Sequence, residues 1–65
     1  MTEFKGFKTE AEAKAFRKEN GGGQIVTKYT KTGRKSSTHD YYMQAVIFGG
    51  LNEDKYPYCV LWNED

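Results

Sequence analysis

The chain of 65 residues contains one cysteine, one histidine and one proline. A single cysteine excludes a disulfide within the chain, and one cysteine with one histidine does not provide the ligand spacing of a conventional metal site. No run of apolar residues approaches the length of a membrane span, which is about 18 or more. A lone thiol without an apolar export signal indicates a reducing, cytoplasmic setting.

Aliphatic residues are also scarce, since Val, Ile and Leu together number seven. Aromatic residues make up 15% of the chain, and the formal net charge is only +1. Disordered segments are poor in aromatic residues and carry a high net charge, so these values indicate a folded protein. Folding of so short a chain hides about 60% of its surface. We therefore expect one small domain over residues 1–65, with a core built mainly from rings.

Residues Thr9 and Glu12 predict the start of a helix. A threonine at the N-cap followed three residues later by a glutamate is a capping box. The helix is expected to run from about Glu10 to Glu19, because the segment Asn20–Gly23 supplies a glycine for the left-handed conformation that ends many helices.

Three later segments are rich in β-branched and aromatic residues and predict strands at Gln24–Thr30, Tyr41–Phe48 and Tyr56–Trp62. Tyr41–Phe48 is expected to be central because its end is apolar on both faces, and Cys59 is expected to be a small buried apolar residue. Short connections favour a meander. The predicted fold is α+β, with one N-terminal helix on a three-stranded antiparallel meander sheet, or a four-stranded sheet if a strand precedes the helix.

One face of this predicted sheet has no second layer to cover it. Aromatic side chains on that face would be exposed, and an exposed apolar surface indicates an interaction site. We therefore expect the missing layer to come from another molecule, either a binding target or a second copy of the chain in a homodimer.

A basic segment lies between Asn20 and His39, where no acidic residue occurs. Lysine and arginine neutralise phosphates, hydroxyl groups hydrogen-bond to them, and exposed aromatic rings stack on bases. The segment therefore predicts a nucleic-acid-binding hairpin that turns at residues 31–34. Two alternatives to nucleic-acid binding stay open. The segment binds an acidic protein partner, or its cations are ordinary solvated residues that protect the hairpin from pairing at its edge. The predicted site residues are Lys28, Tyr29, Lys31, Arg34 and Lys35.

The C-terminal part of the chain mixes rings with carboxylates and suggests a second type of site. Tyrosine and tryptophan dominate protein interfaces, and carboxylates beside them can imitate phosphate. This pattern favours a protein-binding inhibitor or adaptor, similar to small proteins of phages and mobile elements, that blocks a nucleic-acid-handling enzyme. The alternative is that the rings belong to the core. The residues of this predicted protein-binding site are Tyr56, Tyr58, Trp62, Glu64 and Asp65.

The segment Ser36–Asp40 contains the residue types of a hydrolase triad, but triads are assembled from separate segments of a rigid scaffold. The glycine run at 21–23 follows a helix, whereas phosphate-binding loops precede one. We therefore expect a non-enzymatic binding module with no catalytic residue, no cofactor and no metal.

The segment Phe4–Thr9, followed by Glu12, Ala13 and Phe16, resembles the final strand-to-helix step of the ribonuclease H N-terminal hybrid-binding (viroplasmin-like) domain. That family binds RNA–DNA duplexes. The resemblance covers about a fifth of the chain and lacks the hairpin that precedes this step in the family. A capping box with an aromatic staple explains the same residues, so we take no function from the resemblance.

Overall fold

The computed structural model describes residues 2–64. In chain order the elements are β1 (Thr2–Phe7), α1 (Glu10–Glu19), β2 (Gln24–Thr27), α2 (His39–Gly49) and β3 (Tyr58–Asn63). The strands form one antiparallel sheet in the order β1-β3-β2. The predicted α+β class, the N-terminal helix and the three-stranded antiparallel sheet are confirmed, and no fourth strand is formed within residues 2–64. No helix in this part of the chain is long and apolar enough to cross a membrane.

The connections between the strands are not those of the predicted meander. β1 and β2 both pair antiparallel with β3, so they run parallel to each other and are joined by α1. The segment ahead of α1 supplies the first edge strand. The last strand is central because β1 and β2 pair with its two edges. Cys59 and Val60 are both fully buried, which requires that the strand is also covered on both faces.

The largest difference from the prediction is at Tyr41–Phe48, which lies in α2 and is not a strand. The helix buries Tyr42 and Ala45 and packs Val46 beside them, a spacing of three and four residues that belongs to one helical face. Gly50, at φ 75°, ends the helix, and its N–H donates to the Val46 carbonyl at 3.2 Å. A short apolar run fits either a buried strand or a buried helix, so its period alone does not distinguish them.

The two helices cover opposite faces of the sheet. On one face, Gly49 of α2 lies against the ring of Phe4. On the other face, the ring of Phe16 in α1 lies 5.2 Å from the rings of both Phe7 and Trp62. Phe4 and Phe7 point to opposite faces because successive strand residues alternate. The predicted uncovered sheet face is therefore wrong, since the segment that was expected to add a strand supplies the second helical layer.

Tyr42 attaches α2 to the loop that precedes β3. Its side chain is fully buried, and its hydroxyl donates to the Tyr56 carbonyl at 2.6 Å. Burial, with a smaller contribution from the Glu53 carboxylate, raises the pKa of Tyr42 to about 12. The folded protein therefore favours the neutral phenol at this position.

We predict that Tyr42→Phe lowers the free energy of unfolding by about 1 kcal/mol, because it removes the hydrogen bond from a fully buried side chain to the part-buried Tyr56 carbonyl. The matched control is Tyr41→Phe, whose ring is half exposed and whose hydroxyl makes no hydrogen bond within residues 2–64; it should change the value by less than about 0.5 kcal/mol. Urea unfolding followed by Trp62 fluorescence measures both. Equal effects of the two substitutions would contradict this orientation of α2.

The same tyrosine makes stability depend on alkaline pH. Its folded pKa of about 12 lies above the ordinary value of 10.0, so the unfolded chain loses this proton first. The corresponding stability is complete below pH 10 and is lost as the pH rises towards 12. Between pH 10 and pH 12 we expect the free energy of unfolding of Tyr42→Phe to fall less steeply than that of the wild type. If the two curves run parallel over this range, the burial of Tyr42 is contradicted.

Cys59 is fully buried, as predicted, and this burial raises the pKa of its thiol to about 11. Because the thiolate is the nucleophile, we expect a disulfide reagent to label the folded protein only as fast as it unfolds. In urea the same thiol should react at once. Rapid labelling of the folded protein in the absence of denaturant would contradict the central position of this residue in β3.

Candidate nucleic-acid interface

The predicted basic hairpin is formed by residues 28–36, directly after β2. Tyr29 and Lys35 form an antiparallel bridge, and the Thr30 N–H donates to the Arg34 carbonyl at 2.7 Å. The Arg34 N–H donates in turn to the Thr30 hydroxyl at 3.2 Å. These contacts close a short loop whose tip is the segment 31–34, so the hairpin holds its cations in a defined arrangement.

Gly33 allows the chain to reverse at the tip. Its φ is 84°, in the left-handed region, and its N–H donates to the Thr30 carbonyl at 3.0 Å. The predicted turn at 31–34 is therefore confirmed, whereas the regular strand ends at Thr27 and not at Thr30.

Hydrogen bonds fix the base of the hairpin to the start of α2. The Thr38 hydroxyl accepts the Thr27 N–H at 3.0 Å, and it also lies 3.0 Å from the Ser36 hydroxyl. His39 Nδ1 lies 3.0 Å from the Lys28 carbonyl. A carbonyl only accepts, so Nδ1 carries the proton and His39 joins the hairpin to the helix.

The four cations of the hairpin differ in their ion pairing. Lys28 Nζ lies 3.5 Å from Glu53 Oε2, and Lys35 Nζ lies 3.9 Å from Asp40 Oδ1 in a pair that is largely exposed. Within residues 2–64, neither Lys31 nor Arg34 has a carboxylate oxygen within 4.0 Å. The cations at the hairpin tip are therefore the ones most available to an anionic ligand.

The tip also lies within electrostatic range of the first turn of α1. Lys14 is the main cause of a lowered pKa at the Glu10 carboxyl, through an ion pair of 2.9 Å, and Lys31 adds to this effect. Phe7, the last residue of β1, and Thr27, the last residue of β2, both pair with Tyr58, so α1 and the hairpin follow at the same end of the sheet.

One aromatic side chain accompanies these cations. Tyr29 is 57% exposed, with Lys28 Nζ 5.5 Å from the centre of its ring. The centre of the His39 ring lies 6.5 Å from the centre of the Tyr29 ring. The flat face of an exposed tyrosine is a surface on which an unpaired base can stack.

The residues predicted for protein binding lie on different parts of the molecule. Tyr56 packs against the core beneath α2, whereas Trp62 contacts Phe16 of α1 on the opposite face of the sheet. Tyr58 is cross-strand partner to Phe7, and it lies about 13 Å along the strand from Trp62. Glu64 is exposed after the end of β3, and Asp65 lies outside the described residues. This second site stays a prediction.

Sequence reasoning missed an exposed apolar surface on α2. Ile47 is 68% exposed and Phe48 is 84% exposed, although a central strand would have buried both side chains. The signal was the spacing of Tyr42, Ala45 and Val46, which leaves Ile47 and Phe48 on the outer side of a helix.

No group of three or more His, Cys, Asp or Glu residues is placed to hold a metal ion in the described part of the chain. No family model, curated protein or solved structure matches the chain. The step from β1 to α1, which carries the resemblance to the ribonuclease H N-terminal domain, is thus present without a family match. Inference about function therefore depends on the geometry of this chain.

Proposed function

We propose that the chain is a non-enzymatic nucleic-acid-binding module that contacts its ligand through the hairpin at residues 28–36. The observation that supports this most directly is the pair of tip cations, Lys31 and Arg34, which have no carboxylate partner within residues 2–64 and lie in one loop with the exposed ring of Tyr29. Cations with an accessible aromatic ring are the combination that binds single-stranded nucleic acid.

Phosphate groups would be bound first at the tip. The hydroxyls of Thr30 and Thr32, 3.0 Å apart, lie beside the tip cations and can donate to phosphate oxygens. Lys28 and Lys35 can then exchange their long ion pairs for phosphate contacts. The loss is small because surface ion pairs of this kind contribute about 0–1 kcal/mol.

Tyr29 supplies the contact to a base. Stacking on its exposed face needs a base that is not paired, so the module should prefer single strands to duplexes and tolerate most sequences. Two further tyrosines, Tyr41 and Tyr42, follow the hairpin in sequence; Tyr42 is fully buried and takes no part, whereas Tyr41 is half exposed on α2.

A protein-binding inhibitor or adaptor, acting through the C-terminal rings and acids, is the alternative proposal. It was based on rings beside carboxylates in the C-terminal part and on an uncovered aromatic sheet face; α1 and α2 cover both faces, so the rings and carboxylates are the remaining support. No binding of DNA or RNA at low salt would favour this alternative over the hairpin.

We predict that the double substitution Lys31→Glu with Arg34→Glu weakens binding to a fluorescent single-stranded oligonucleotide at least tenfold, because it replaces two phosphate contacts by repulsion. Fluorescence anisotropy at low salt measures the affinity. The control with the same change in charge is Arg17→Glu with Lys18→Glu, on exposed positions at the far end of α1. An equal loss of affinity in the control would mean that the net charge of the protein alone determines binding, which would contradict a binding site in the hairpin.

The salt dependence separates the two kinds of contact. Four phosphate contacts on a single strand give a slope of log Kobs against log salt of about −3, and the double substitution should halve it. Tyr29→Ser should lower the affinity and leave the slope unchanged, because a stacked ring releases no counterions. A wild-type slope near zero would reject phosphate binding.

A further inference from the structure

A cleft lies between the base of the hairpin and the loop that leads to β3. Its volume is about 390 Å³, and its lining includes residues 28–30 of the hairpin together with Glu53, Asp54 and Pro57 of the loop. Pockets that hold small molecules occupy roughly 300–1,000 Å³. The cleft therefore has room for one nucleotide base beside the exposed ring of Tyr29.

The cleft presents an ammonium group next to a carboxylate. Lys28 Nζ lies 3.5 Å from Glu53 Oε2, and the two side chains are 29% and 36% exposed. This distance is at the limit of a hydrogen bond, and no other donor contacts the Glu53 carboxylate within residues 2–64. The pair therefore offers a donor and an acceptor side by side, both with capacity left for a ligand.

A second carboxylate, that of Asp54, makes the cleft mainly a site for donors. Burial is the main cause of the raised pKa of Tyr42, and the charges of Glu53 and Asp54 add to it, so both carboxylates are near Tyr42 at the inner end of the cleft. Asp54 is exposed and has no cation within 4.0 Å in the described part of the chain. Two carboxylates against one ammonium repel a phosphate and attract a group that presents N–H donors.

Tyr29 can hold a base within reach of these groups. Its ring is 57% exposed, it lines the same cleft, and its centre lies 5.5 Å from Lys28 Nζ. An exposed aromatic ring is a stacking surface for any base. A base that packs against the cleft side of this ring can turn its edge towards Lys28 and Glu53.

The order of donor and acceptor favours guanine. On its Watson–Crick edge guanine has the O6 acceptor and then two adjacent donors, N1–H and the N2 amino group. A carboxylate accepts two parallel hydrogen bonds from adjacent donors, and an ammonium donates to the neighbouring oxygen. Adenine and cytosine have a ring-nitrogen lone pair beside their amino group, and thymine and uracil have carbonyls beside their N–H. A carboxylate repels each of these acceptors.

We propose that the cleft binds a guanine base of a single-stranded nucleic acid, with Glu53 accepting from N1–H and the N2 amino group and Lys28 donating to O6. The proposal rests on the proposed function and adds to it a preference for guanine at one position of a strand whose other bases are not discriminated. An ammonium has three donors, so Lys28 can contact a phosphate at the same time.

Fluorescence anisotropy at one low salt concentration tests this preference with labelled oligothymidine strands that differ at one central position. The strand with one guanine should bind about tenfold more tightly than the strand with one adenine, a purine of the same ring size, because a bidentate contact to a base discriminates to about this extent. Inosine lacks the N2 amino group and should bind with intermediate affinity. The salt slope should be the same for all three strands, because a contact to a base releases no counterions.

Glu53→Gln tests the residue that reads the base. The variant keeps the size of the side chain but has one acceptor oxygen and an amide donor in place of two acceptors. It should reduce the difference between the guanine and adenine strands to less than about twofold and leave the affinity for the adenine strand no weaker. The control Glu19→Gln makes the same change in charge at the exposed last residue of α1 and should keep the tenfold difference. Circular dichroism checks that both variants are folded.

Four results would overturn the guanine site. Equal binding of the guanine and adenine strands by the wild type would reject it and leave binding by the hairpin in place. Inosine that binds as tightly as guanine would remove the bidentate contact, and a preference that survives in Glu53→Gln or is lost equally in Glu19→Gln would remove the role of Glu53. If no strand binds at low salt, the proposed function fails together with the guanine site, so the two failures are distinguishable.

Discussion

Strand β3 is hydrogen-bonded along both edges and covered on both faces, and the other elements are arranged around it. Cys59 and Val60, adjacent in sequence, point to opposite sides of the sheet and are both fully buried. A chain with few aliphatic residues can achieve this only if each face receives a helix of its own. The two helical layers, and the use of rings such as Phe16 to fill the space between them, follow from that requirement.

Local signals predicted some elements well and failed for others. α1 was predicted with its observed bounds, because a capping box and a glycine stop act within one turn of the helix ends. α2 was misread as a strand because its apolar run is compatible with both periods. Its start also lacks a capping hydrogen bond, since the Thr38 hydroxyl accepts the N–H of Thr27 from β2. The wrong prediction of a meander followed from this error. The observed strand order, β1-β3-β2, depends on contacts that are distant in sequence and could not be read from neighbouring residues.

The candidate site shows the same limit. The turn of the hairpin was predictable because Gly33 determines it locally. Which cations remain unpaired was not, because the carboxylates come from elsewhere: Glu53, which pairs with Lys28, lies 25 residues away in the chain. The C-terminal rings were recognised as a group by composition, but Tyr56, which precedes β3, packs against the core beneath α2, whereas Trp62 packs on Phe16 of α1.

The central position of the last strand also has a consequence for how the protein folds. Within residues 2–64 the edge strands β1 and β2 have no strand partner other than β3, and the outermost pair in the β1 register joins Thr2 to Asn63. Both ladders therefore require closure of long loops, which slows folding because entropy is lost before the contacts form. During synthesis the sheet therefore cannot assemble until β3 is available.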